Sequence, residues 1–161
     1  MGGVTVIDAD LTNPRHQEAI VHLVNVYARD PMGQGRDLAE EIRRDLISGL
    51  RRHPATLILL AFDGDLPVGI AVCFVGFSTF AARPLINIHD LAVVPEYRGQ
   101  GVGRALLDHV EAKGRTLGCA KLTLEVNADN LPAQALYTQF GFGDGKPGGR
   151  IGRVWFLQKR L

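Results

Sequence analysis

The chain has 161 residues, 46% of them hydrophobic, and its 18 basic and 17 acidic side chains leave a net charge of +1. That length makes one domain with a single core, and the balanced charge supplies no overall field for a nucleic acid or an anionic membrane surface. The two cysteines, Cys73 and Cys119, sit in apolar stretches without metal-ligand spacing, no apolar run reaches ~18 residues, and MGGVTVIDAD lacks the flank and apolar run of a leader. The expectation is therefore a cytoplasmic protein with reduced thiols and no disulfide, metal or membrane segment.

Val4–Ile7 forms a short β-branched run, and Pro14–Arg29 carries Ile20, Leu23, Val24 and Tyr27 at the spacing of one helix face. After the loop DPMGQGR, Asp37 and Glu40 have the spacing of a capping box. They predict a second helix with apolar positions Leu38, Ile42, Leu46, Ile47 and Leu50, stopped at His53-Pro54. Thr56–Phe62 and Leu66–Phe77 are apolar and β-rich, joined by Asp63-Gly64-Asp65, which predicts a hairpin buried on both faces. The loop Ser78–Pro84 leads into Ile86–Val94, an apolar strand interrupted by Asn87, His89 and Asp90. Strict alternation puts Asn87 and His89 on one face and Ile88 and Asp90 on the other, so that His89 and Asp90 would not act together.

Gly103, Leu106, Leu107, Val110, Gly114 and Leu117 mark a helix face, and Lys121–Val126 alternates as a strand, which completes a βαβ unit. Asn130–Phe140 reads as a short helix with Pro132 in its first turn. A glycine-rich loop, Gly141–Gly152, precedes a last strand at Val154–Gln158.

The βαβ unit contains PEYRGQGVGRALL, with Gly99, Gly101 and Gly103 between Arg98 and Arg104. A strand running through glycines into a helix N-terminus aims unpaired N–H groups and the positive end of the helix dipole at one spot, which suits a phosphate or diphosphate. The two arginines stand where they would add charge-assisted contacts. The spacing is neither G-x-G-x-x-G nor G-x-x-x-x-G-K-[ST], which argues against a dinucleotide or a nucleoside triphosphate.

HDLAVVPEYRGQGVGRALL resembles the GCN5-related N-acetyltransferase superfamily, whose R/Q-x-x-G-x-G/A signature is matched by Arg98-Gly99-Gln100-Gly101-Val102-Gly103. LEVNADNLPAQALYTQFGF is similar to that family's second motif, with Asn130, Tyr137 and Gly141-Phe142 in place. The resemblance covers roughly Ile86 to Phe142 and implies an α/β (α+β) acyl-CoA N-acyltransferase fold. That fold has a mixed, mostly antiparallel twisted sheet of about seven strands, splayed between two of them, with helices on both faces. Residues 1–161 would form one such domain. It further implies acetyl-CoA as the donor, with its diphosphate on the backbone of Arg98, Gly99, Gln100, Gly101, Val102, Gly103 and Arg104. Its pantetheine arm would lie along Leu91, Ala92 and Val93, and Asn130 and Tyr137 would stand beside it. The acceptor would be a primary amine of a small molecule or peptide, attacked directly without an acyl-enzyme and without a metal; homodimers are frequent in the family. A non-catalytic acyl-CoA-binding sensor on the same fold is the alternative.

A lysine-like amine with a pKa of ~10.4 must lose a proton before attack, at a cost of roughly 5 kcal/mol at pH 7, and the departing thiolate must gain one. Tyr137 is the candidate acid, a neutral hydroxyl that the resemblance puts beside the sulfur. For the base, Glu125 stands twelve residues before Tyr137, as in ribosomal-protein N-terminal acetyltransferases, and His89 stands nine before Arg98, as in the arylalkylamine enzymes. Imidazole, with a reference pKa of ~6.5, exchanges protons near neutrality, which favours His89. Asp90 reads as structural. Acceptor choice in the family rests on segments that here are Tyr27–Asp37, Ser78–Pro84 and Gly141–Arg153, with Asp30 and Asp37 as cation anchors and Gly33 and Gly35 marking a mobile loop.

Overall fold

Long apolar runs with no polar alternation need cover on both faces, and the fold provides it. In a computed structural model describing residues 3–143, 150–151 and 154–161, the elements are β1 (Thr5–Asp8), α1 (Pro14–Arg29), α2 (Glu40–Arg52), β2 (Thr56–Asp63), β3 (Leu66–Ser78), β4 (Arg83–Val93), α3 (Val102–Thr116), β5 (Lys121–Asn127), α4 (Leu131–Phe140), β6 (Arg150–Ile151) and β7 (Val154–Arg160). The sheet runs β1-β2-β3-β4-β5-β7-β6, with β6 a two-residue edge strand beside six longer ones. Among the described residues every neighbouring pair is antiparallel except β4 with β5, whose parallel register needs the α3 crossover. The expected mixed sheet with helices on both faces is therefore present. No helix among the described residues is long and apolar enough to cross a membrane.

Alternate residues of the central hairpin enter two cores. Leu59, Ala61, Val68, Ala71 and Cys73 face α3 and α4, where they meet Leu106, Leu107, Val110 and Phe140. Ile58, Leu60, Phe62, Ile70 and Val72 face the other way, onto Ala19, Ile20 and Leu23 of α1 and, more loosely, Leu46, Ile47 and Leu50 of α2. Both sets are buried, which is why β2 and β3 read as unbroken apolar runs.

Two sequence expectations are corrected. The capping box at Asp37 and Glu40 does not form: α2 begins at Glu40 after Ala39, with no side-chain cap. Asn25, buried on α1, instead holds the segment that leads into α2. Its Oδ1 accepts from the Leu38 N–H (2.8 Å), and its Nδ2 donates to Asp37 Oδ1 (2.7 Å), which also accepts from Arg29 Nε. Asp37 is thereby an anchor for α1 rather than a free cation site.

The second correction concerns β4. Val72 pairs with Asp90 but the next residue, Cys73, pairs with Ile88, so His89 is the extra residue of a β-bulge. Ile88 then shares the Cys73 face and Asp90 the Val72 face, on opposite sides of the sheet. His89 leans to the Asp90 side, its ring edge-on to Phe74 with centroids 5.5 Å apart. The bulge thus brings His89 and Asp90 together, against the simple alternation.

β4 and β5 pair only from Leu85–Lys121 to Ile88–Leu124; beyond the bulge β4 continues to Val93 and β5 to Asn127 without pairing. This parting positions everything that follows.

Replacing Asn25 with alanine leaves the Leu38 N–H without its acceptor and takes one donor from the Asp37 carboxylate, which keeps Arg29. Urea unfolding should show a loss of about 1–3 kcal/mol for Asn25→Ala.

Candidate active site

A cavity of about 210 Å³ opens where the strands part. Its wall includes Tyr27 from the end of α1, His89 and Leu91 from β4, Glu125 and Asn127 from β5, and Asn130 and Tyr137 from the start and middle of α4. Glu125 shares a face of β5 with Thr123, whose hydroxyl accepts from Asn87 Nδ2 (2.9 Å), so Glu125, His89 and Tyr27 come from the α1 side of the sheet. Tyr137 belongs to the opposite core. An intact sheet would hold these groups apart with backbone; the split lets them line one cavity.

Tyr137 is 7% exposed and packs edge-on against Phe142, with centroids 5.8 Å apart. Burial, and then the neighbouring Tyr27 and Asp90, push its phenol well above the ordinary tyrosine value, so it remains a neutral donor throughout the physiological range. Among the described residues its hydroxyl has no protein hydrogen-bond partner. Tyr27 is pushed up as well, by burial first and then by Asp90 and Asp30. Burial also raises Asp90 above the usual carboxylate range, with His89 opposing that shift. Cys73, buried on the other face, is pushed up to about 12 by burial and then by Asp90, and burial raises Cys119 as well. Neither thiol is poised as a nucleophile.

The glycine stretch lies at the other end of the split. Gly99 (φ 72°) and Gly101 (φ 86°) adopt the left-handed conformation, and a Cβ on either would meet nothing within 4 Å, so these two glycines shape an open loop. The third has another purpose. A Cβ on Gly103 would stand 3.0 Å from Leu136 Cδ2, so its bareness admits α4 against α3. No acceptor among the described residues takes the N–H groups from Gly99 to Arg104, and the helical ladder begins only with Ala105 N–H to the Gly101 carbonyl (2.9 Å). Open N–H groups at a helix N-terminus form a cradle of the kind that suits an anion.

Arg98 and Arg104 were expected to flank a diphosphate, and both are engaged within the chain. The Arg98 N–H donates to the Pro95 carbonyl, and its guanidinium reaches the Val93 carbonyl and Asp30. Arg104 bonds Asp108 (3.2 Å) and lies over the Phe140 ring, 4.7 Å from its centroid. Asn130 lines the cavity but also caps α4, its Oδ1 accepting from Ala133 N–H (3.2 Å). Leu91, Ala92 and Val93 pair with β3 through Ala71, Ile70 and Gly69, leaving their opposite edge to the split.

Of the sequence candidates, His89, Glu125, Tyr137, Leu91 and Asn130 meet in one cavity, while Gly99 to Arg104 form the separate cradle. Tyr27 and Asn127 were not singled out for the site, and Asp90 was set aside as structural. The adjacent polar pair His89-Asp90 inside an apolar strand was the available signal, since it breaks a period of two. Asp30 and Asp37 both hold internal partners, and a Cβ on Gly33 would fall 2.2 Å from the Tyr27 carbonyl oxygen, so close packing explains that glycine. The loop Gly141–Arg153 lies largely outside the described residues.

Open N–H groups at one end and proton-handling side chains at the other would suit a ligand with an anionic end and a reactive end. The chain belongs to the acetyltransferase (GNAT) family, whose sequence profile matches residues 20–142, and it is an acetyltransferase. It is 34% identical over 142 residues to streptothricin acetyltransferase of Streptomyces lavendulae, a match covering 86% of this chain and 68% of that enzyme. It is 46% identical over 58 residues to the ribosomal protein bS18 alanine N-acetyltransferase of Escherichia coli K12, covering 36% of this chain and 39% of that enzyme. A chain from the NatC complex, solved with a Gag peptide and CoA, superposes with a TM-score of 0.76 at 21% identity, covering 100% of this chain and 99% of that one. At that identity the likeness is one of fold.

Because its raised pKa means that the folded state binds the Asp90 proton more tightly than the unfolded state, stability falls as pH rises above the unfolded value of 3.8. Asp90→Asn should therefore raise the urea midpoint at pH 7, by a margin that shrinks progressively as the pH is lowered towards 4.

Proposed function

We propose that the protein transfers the acetyl group of acetyl-CoA directly to a primary amine of a small molecule. The observation that carries this reading is the meeting of Tyr137, His89 and Glu125 in one cavity at the parting of β4 and β5, in line with the free N–H groups of Gly99 to Arg104. The cradle fits a diphosphate, since Gly99 and Gly101 leave open space where side chains would stand. The unpaired edge of Leu91, Ala92 and Val93 fits an amide-bearing arm, which would continue the sheet where β5 leaves it. Acetyl-CoA would supply a thioester whose carbonyl carbon accepts the amine and whose sulfur leaves.

The residues then have to move protons. His89 and Glu125 face the cavity from the side where an amine enters, and either takes the ammonium proton, directly or through water. Tyr137 stands on the opposite side. Its raised pKa makes it a weaker acid than a thiol, whose reference value is ~8.5, so outright donation to a thiolate is uphill. Its hydroxyl serves as a hydrogen-bond donor to the leaving sulfur, or as a relay that gives a proton there while receiving one from the new amide nitrogen. Neither cysteine enters the chemistry, in keeping with direct transfer.

A small-molecule amine is favoured because the match to the streptothricin enzyme extends over 86% of the chain, against 36% for the ribosomal-protein enzyme. The second reading is a peptide amine. A non-catalytic acyl-CoA sensor is disfavoured, since a sensor has no need of a neutral tyrosine facing a histidine and a carboxylate. A cytoplasmic location and a homodimer belong to this proposal through the buried thiols and by family analogy.

The direct test is thiol release from acetyl-CoA with streptothricin, thialysine and an alanine-terminated peptide as acceptors. Acetyl-CoA at 100 times its Kd should stabilise the protein by about 2.7 kcal/mol, seen as a rise in Tm that ATP and NAD do not produce. Tyr137→Phe should lower turnover by roughly tenfold or more while the acetyl-CoA Kd stays within about twofold; unchanged turnover would remove Tyr137 from the chemistry.

A further inference from the structure

Arg98 stands first in the glycine signature, yet the side-chain hydrogen bonds it makes go to β4 and the 30–36 loop. Its Nε donates to the Val93 carbonyl at the end of β4 (3.0 Å), and its Nη2 to Asp30 Oδ2 (2.7 Å), while its N–H is taken by the Pro95 carbonyl (3.2 Å). Asp30 opens the 30–36 loop, and its side chain is only 17% exposed. Its Oδ1 accepts from Met32 N–H (2.9 Å), and its carbonyl accepts from the N–H groups of Gly33 (2.8 Å) and Gly35 (3.2 Å). Met32 N–H and then Arg98 hold the carboxyl below its usual range. The carboxylate is enclosed and oriented by the loop's own backbone, while the Arg98 side chain that meets it is 51% exposed.

The loop held in this way is tied towards both of the strands that part. At the β4 end it is fastened through Arg98. At the β5 end Asn127 Nδ2 reaches the Met32 carbonyl over a long 3.4 Å. Gln34 and Arg36 N–H groups return to the Ala28 carbonyl (3.0 and 3.2 Å), next to Tyr27 in the cavity wall. Swinging Arg98 onto a phosphate would remove the cation from Asp30 and release the loop at its β4 end.

We propose that Arg98 is a positioning residue for the acceptor end of the site, holding the 30–36 loop and Tyr27 against β4 through Asp30, and that it is not a ligand of the diphosphate. This rests on the acetyl-CoA reading above and assigns Arg98 a role at the opposite end of the substrate path.

Arg98→Gln, Asp30→Asn and their double variant test it, since Gln also satisfies the family signature at position 98 and removes only the charge and the fork. Calorimetric titration should give an acetyl-CoA Kd for Arg98→Gln within about threefold of the parent, where loss of a charged phosphate contact would weaken it by roughly tenfold or more. Amide hydrogen exchange over residues 30–36 should quicken by about fivefold or more in either single variant and no further in the double, as one shared interaction requires. Arg98→Lys, which keeps the charge but cannot hold Asp30 and Val93 together, should restore the exchange rates in part. With streptothricin, thialysine or the alanine peptide as acceptor, the amine KM should rise in both single variants while the acetyl-CoA Kd holds. A tenfold weaker acetyl-CoA Kd, or unaltered exchange over 30–36, would overturn the proposal. Failure of the parent protein to bind acetyl-CoA would instead overturn the proposed function, with the exchange measurement still deciding whether Arg98 holds the loop.

Discussion

The parting of β4 from β5 is the constraint on which the site depends. A sheet is a barrier: its backbone separates what lies on one face from what lies on the other. Here the parallel pairing runs from Leu85–Lys121 to Ile88–Leu124 and then ends, and through the gap Tyr137 from the α4 core shares a cavity with His89 and Glu125 from the α1 side. The bulge at His89 falls just where the pairing ends. Extra backbone at that place does two things at once: it terminates the ladder and re-aims the side chains on either side of it. The same gap leaves one edge of β4 unpaired, and the α3 crossover demanded by a parallel pair delivers its N-terminus to the far end of the gap. Split, free edge and anion cradle are thus consequences of one topological choice.

The cavity's electrostatics follow from low solvation more than from fixed charge. Tyr137, Tyr27 and Asp90 each have ionisation suppressed by burial; Asp90 also suppresses that of both tyrosines, and Tyr27 that of Tyr137. Such a cluster favours neutral forms and penalises a second negative charge. It offers a hydroxyl that stays protonated. The thiol of Cys73, on the other face, is silenced first by its own burial and then by Asp90.

Much of this was legible in the chain. The unbroken apolar runs of β2 and β3, the glycine stretch between a strand and a helix, and Tyr137 with Asn130 on a short helix all carry local signals, and each lies where those signals put it. What escaped was of two kinds. Asn25 holds the Leu38 N–H thirteen residues on, and no spacing rule links residues so far apart, so a local capping box at Asp37 and Glu40 was the natural expectation. The bulge at His89 defeated a period-of-two reading, because register is decided by pairing with β3 and not by β4 alone. Side-chain partners are equally invisible: nothing in RGQGVGR says that its first arginine reaches back sixty-eight residues to Asp30. A glycine's purpose is hidden too, since Gly101 and Gly103 look alike in the sequence, yet one bends the backbone and the other makes room for Leu136.

That contact between Gly103 and Leu136 bears on which donors the enzyme can use. Gly103 lies in the first turn of α3, at the cradle, and Leu136 is the immediate neighbour of Tyr137 on α4. With no side chain on Gly103 to hold α4 off, the proposed phosphate cradle and the Tyr137 hydroxyl are kept close together across the two helices. Under the proposed chemistry this makes the two helices a ruler. A donor is measured by the length of arm between its phosphates and its sulfur, and a thioester on a shorter or longer carrier would present its sulfur away from Tyr137, whatever acyl group it bears.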